Sequence, residues 1–127
     1  RQAWDVSLGL FALADGDARK FYDFATYVYE RQDQFYNGPF LHKTHDDLRQ
    51  FVADLAQGHS DVDRETFLKR MADNDIYVDA RTPIRYAATK GVWATPTFFV
   101  NNSDNVPVDH SSTLDNWKEL IDPLLSL

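Results

Sequence analysis

Gly91-Val92-Trp93-Ala94-Thr95-Pro96-Thr97-Phe98-Phe99-Val100-Asn101 is the stretch that decides the fold, because the chain changes character there. Thr97-Phe98-Phe99-Val100 is rich in β-branched and aromatic residues and runs into the turn-forming Asn101-Asn102-Ser103-Asp104-Asn105. That pattern predicts a β-hairpin, with Val106 to Val108 as its second strand. Downstream, Thr113 is placed to cap a last helix in which Leu114, Trp117, Leu120, Ile121 and Leu124 share one face.

Upstream of Gly91 the periodicity is helical. Ala3, Val6, Leu10, Leu13 and Ala14 recur at three- and four-residue spacing until the turn Asp15-Gly16-Asp17. A second helix is expected from about Ala18 to Gln34, with Phe21, Phe24, Ala25, Val28 and Phe35 as its buried stripe, stopped by Asn37-Gly38-Pro39. Thr44 and Asp47 have the spacing of a capping box and open a third helix carrying Leu48, Phe51, Val52 and Leu55. Asp61 or Asp63 caps a short fourth helix with Phe67, Leu68 and Met71. A fifth covers Asp75 to Lys90 with Ile76, Ala80, Ile84, Ala87 and Ala88 inward. Pro83 either kinks it or starts a new helix behind Thr82.

Composition narrows the function classes. The 127 residues are 43% hydrophobic and 14% aromatic, enough for a single core. Thirteen Lys and Arg against twenty Asp and Glu give a formal charge of −7, which repels phosphate backbones and anionic lipid heads. Neither nucleic acid nor a membrane is expected as a partner. Apolar runs such as Leu8 to Ala14 are far shorter than the ~20 residues needed to span a bilayer, so a soluble acidic chain is expected. There is no cysteine, which removes disulfides, thiolate nucleophiles and most structural zinc sites, and leaves the compartment open.

The Gly91 to Asn101 segment resembles the GV-x-G-T-P-T-F-F-V-N-G signature of DsbA-like thioredoxin-fold proteins, the thiol–disulfide oxidoreductases. Ala94 stands where that family usually has Gly, and Asn102 where it has the turn glycine. The resemblance implies a thioredoxin-like α/β fold, α+β in the part present, with a large helical insertion, a cis-Pro β-hairpin and a C-terminal helix. Residues 1–127 would be one domain, with a helical block over 1–90 and hairpin plus helix over 91–127. The family's N-terminal βαβ half, which carries Cys-x-x-Cys, is not found before the helical block, and the chain opens at Arg1 without Met. The domain is therefore expected to be N-terminally incomplete.

In that family the proline matching Pro96 is cis and faces the redox pair, and the backbone of the preceding residue meets extended peptides. The resemblance thus implies a peptide-binding loop of Trp93, Ala94, Thr95 and Pro96, with no catalytic residue and no cofactor in this chain. A further expectation is that the open sheet edge is covered by upstream strands, or by a second copy through dimerisation or strand exchange, since a lone hairpin is marginal. Two alternatives stand beside the oxidoreductase relative. One is a non-catalytic module that binds peptides or proteins. The other is an enzyme like the kappa-class glutathione transferases and related isomerases, whose catalytic serine would fall in the missing half.

Other candidates read as structural. His42 and His45 are three apart near a helix start, but no third metal ligand is near them in sequence. His59 and His110 sit in polar, turn-like surroundings and are expected to be solvated. Asp46, Asp47, Asp61, Asp63, Asp73, Asp75 and Asp79 gather at helix starts, where capping accounts for them. Asn101-Asn102-Ser103 is a glycosylation sequon, of consequence only in a secreted protein.

Overall fold

The computed structural model describes residues 2–101 and 106–125. These residues fall into two compact units, 1–83 and 84–127, each taken by itself below.

The first unit is built on α1 (Gln2–Ala14), against which α2 (Ala18–Tyr29), α3 (His45–His59) and α4 (Arg64–Met71) pack. A one-sided stripe was expected of α1. Instead Val6, Leu8, Gly9, Leu10, Ala12, Leu13 and Ala14 are all buried, because three helices surround it. The core continues through Phe24, Ala25 and Val28 of α2, Leu48, Val52, Ala53, Leu55 and Ala56 of α3, and Phe67 and Met71 of α4. Phe24, Val52 and Phe67 are completely enclosed, and each such side chain contributes roughly 1.5–3 kcal/mol by leaving water. Gly9 lets α1 and α3 approach closely, since a Cβ there would collide with Val52 Cγ1.

Capping fixes the ends. Asp15 and Gly16 both take positive φ, 49° and 84°, to end α1, and the Asp17 carboxylate accepts from the Arg19 and Lys20 amides to open α2. Thr44 and Asp47 form the reciprocal capping box read from the sequence, and Asp63 caps α4 through the Thr66 amide at 2.8 Å. The second helix is shorter than expected: it stops at Tyr29, and a 3-10 turn over Gln32–Phe35 follows. Arg64 binds α4 to α3, donating to the Asp54 carboxylate, to Gln57 Oε1 at 3.1 Å, and to the Gln50 carbonyl and side chain at 3.1 and 2.8 Å.

α5 (Asn74–Thr89) neither stops nor restarts at Pro83 but runs through it as one helix, and the boundary of the two units falls at that proline. Of the residues expected to face inward, only Ala80 is fully buried, and Ile84 is exposed.

The second unit holds the end of α5, the Gly91 to Asn101 segment and α6 (Leu114–Leu125). The α/β reading is overturned here: the described residues contain no strand, and the expected hairpin is reduced to one bridge at Phe99 and a bond from the Val106 amide to the Phe98 carbonyl at 3.2 Å. Two features divert the second strand. Pro107 offers no backbone donor, and the Val108 amide donates to the Val106 carbonyl at 2.8 Å, closing a tight turn instead of a ladder. Asn102, Ser103, Asp104 and Asn105, and with them the expected turn and part of the sequon, lie outside the described residues. Thr113 opens α6 as expected, its hydroxyl accepting from the Asn116 amide while Asn116 Oδ1 accepts from the Thr113 amide. No α6 residue is fully buried.

Candidate functional site

The loop expected to bind a partner begins at the end of α5. The Gly91 amide donates to the Ala88 carbonyl and the Val92 amide to the Ala87 carbonyl, both at 3.1 Å. With Gly91 at φ 72° this is a Schellman cap, which satisfies the last helical carbonyls and turns the chain away. Only a residue tolerant of positive φ fits there, and the sequence supplies glycine.

Beyond the cap, Trp93, Ala94, Thr95 and Pro96 are all exposed, Trp93 to 93% of its surface. The Thr95-Pro96 peptide bond is cis. Thr97 Oγ1 donates to the Ala94 carbonyl at 2.5 Å and so closes the loop on itself. Among the described residues the Thr95 backbone N–H and C=O have no hydrogen-bond partner. Phe98 leaves the loop to pack edge-on against Trp117 of α6, ring centroids 4.9 Å apart, which ties the loop to that helix.

The histidines divide. His45, set aside from the sequence, has Nδ1 3.1 Å from Asp5 Oδ2; Asp5 is only 2% exposed and His45 about half exposed. Nothing local marks this pair, because its members lie on different helices. His59 is not solvated as expected: its ring is half-buried and stacked on Phe24 (5.4 Å, 30°) and beside Tyr27 (5.0 Å). His110 is exposed, as read. No group of three or more His, Asp or Glu among the described residues is close enough to hold a metal ion.

Of the acidic residues read as caps, Asp47 and Asp63 bond at the starts of α3 and α4 and Asp73 accepts from the Asp75 amide before α5, whereas Asp79 lies inside α5. The Asp47 carboxyl is held below its ordinary value by the backbone N–H and then the hydroxyl of Thr44, and Asp63 likewise by Thr66. Asp109 is lowered in the same direction, first by the Ser111 hydroxyl and then by its N–H, within a turn preceding α6. No described helix is long and apolar enough to cross a membrane.

Against known proteins, residues 2–123 match the family model described as Thioredoxin, so the chain belongs to that thioredoxin family. No curated protein and no solved structure matches it. The match covers both units.

Proposed function

We propose that this chain is a DsbA-like member of the thioredoxin family that receives an extended peptide or protein segment at the loop Trp93-Ala94-Thr95-Pro96. The observation that carries this reading is the exposed Thr95 backbone, whose donor and acceptor are both unmatched among the described residues beside a fully presented indole. An extended segment laid against it gains main-chain hydrogen bonds, while Trp93 offers a large rigid contact surface. Exposed Leu114 and Leu124 and the half-buried Phe98 and Trp117 give the same unit further apolar surface for a partner to cover.

The chain does not itself exchange thiols and disulfides, since that chemistry needs an attacking thiolate and there is no cysteine here. It acts as a binding module related to the oxidoreductases.

The test is an NMR titration with an unfolded peptide, the insulin B chain with blocked cysteines. The Trp93 indole and Thr95 amide resonances should move; Thr95→Pro should abolish the effect and Thr95→Ala retain it, because the contact is made by the backbone. Shifts confined to residues outside 91–101 would refute the reading.

A further inference from the structure

The C-terminal ends of α1, α3 and α4 meet the first turns of α2 around a groove of about 330 Å3 lined by Leu13, Lys20, Asp23, His59, Ser60, Val62 and Arg70. It lies wholly within the first unit, and it is unusual for this chain. In a protein of net charge −7, two permanent cations and an imidazole converge on it from α2, α4 and α3.

These groups are only partly committed. Among the described residues Lys20 has no ion pair and the His59 imidazole no hydrogen bond, although its ring is held in place against Phe24 and Tyr27. Arg70 gives one terminal nitrogen to Asp15 at 2.8 Å, leaving the rest of its fork. Ser60 is already engaged, donating to the Ala56 carbonyl and accepting from the Val62 amide. Asp23 also borders the groove, and its carboxyl has no partner among the described residues.

We infer that this groove is a binding site for a phosphate group that carries a proton. Lys20, Arg70 and His59 match its oxygens with charge-assisted hydrogen bonds. Asp23 would repel a fully deprotonated anion, but it accepts a hydrogen bond from a P–OH. A carboxylate among the cations therefore selects hydrogen phosphate over sulfate, which has no proton to give at neutral pH. Leu13 and Val62 wall the remaining space, and the groove exceeds by far the ~30 Å3 share of a water molecule, leaving room for a small organic group on the phosphate.

The experiment is an NMR titration of the 127-residue chain with inorganic phosphate, methyl phosphate and sulfate at equal ionic strength and at about pH 5.5, below the second pKa of ~6 of a phosphate monoester, so that both phosphates keep a P–OH. Both phosphates should move the resonances of Lys20, His59 and Arg70, with sulfate much weaker. Tighter binding of methyl phosphate assigns a monoester as the ligand; equal or tighter binding of inorganic phosphate assigns the free ion. Lys20→Ala should weaken binding by about tenfold, the loss of one charge-assisted hydrogen bond. Asp23→Asn should narrow the preference over sulfate. Absence of shifts at these residues, or unchanged affinity in Lys20→Ala, a surface change that leaves the core intact, would overturn the inference, as would sulfate binding equal to phosphate.

Discussion

His45 Nδ1 lies 3.1 Å from Oδ2 of Asp5, a side chain of α1 that is only 2% exposed. Burying a polar group without a partner is costly, so the first turn of α3 is where that cost is offset. His45→Ala is expected to destabilise the chain by about 1–3 kcal/mol, the usual penalty for orphaning a buried polar group. In an Asp5→Asn background the same change should cost much less. Urea unfolding of the four variants measures the coupling, and equal costs in both backgrounds would show that the contact is inert.

Gly9 faces Val52 so closely that an added methyl has nowhere to go. Gly9→Ala should lower stability despite alanine's better helix propensity, by about 1–3 kcal/mol from overpacking. Val52→Ala in the same chain should recover part of the loss relative to the sum of the single changes. A melting temperature raised by Gly9→Ala would mean that α1 and α3 separate without cost.

Arg64 reaches three side chains and a backbone carbonyl of α3 from the first residue of α4. Lysine cannot reproduce a fork that contacts several acceptors at once. Both Arg64→Ala and Arg64→Lys are therefore expected to destabilise, by about 1–2 kcal/mol for alanine and by less for lysine. Thermal unfolding with unchanged midpoints in both would reduce Arg64 to a solvated charge.

Asp47 and Asp63 titrate below the ordinary carboxylate value in the folded chain. A carboxyl with a depressed folded pKa stabilises above its unfolded pKa and loses that contribution as pH falls through the folded one. Stability should therefore decline on acidification below about pH 4. Asp47→Asn should flatten that decline. An acid unfolding curve identical in the variant and the parent would remove Asp47 from the account.

Helix ends were readable because their signals are local: Thr44 and Asp47, Asp63 and Thr66, and Thr113 and Asn116 each lie three residues apart and bond as that spacing implies. At Gly91 only a change in chain character was legible; the cap that its positive φ and the Ala87 and Ala88 carbonyls form there was not. Burial was less readable. Ile84, Ala87 and Ala88 have the spacing of an inward face, yet none is fully buried, because spacing states which residues share a side and not whether anything packs there. The strand reading of Thr97 to Val100 failed for a related reason. β-propensity measures fit to a neighbouring strand, and Val106 to Val108 turns at Pro107 instead of supplying one. Asp5 with His45, and His59 against Phe24, join distant positions, and no window along the chain contains either pair. In the candidate loop, the residues Trp93 to Pro96 were named from the motif, while the closure by Thr97 onto Ala94 was not foreseen.

Pro83 has no amide hydrogen, so the Asp79 carbonyl lacks its donor in the middle of α5. The first unit ends at that residue, and it contains every fully buried hydrophobic side chain among the described residues except Val108. Deuterium uptake should register this as a step within a single helix. Amides of Val52 and Phe67 open only with the whole first unit and exchange slowly, while those of α5 beyond Pro83 open by local fluctuation and exchange fast. One helix then belongs to two cooperative units, and a binding event at the loop after Gly91 would be recorded first in the slowing of its second half.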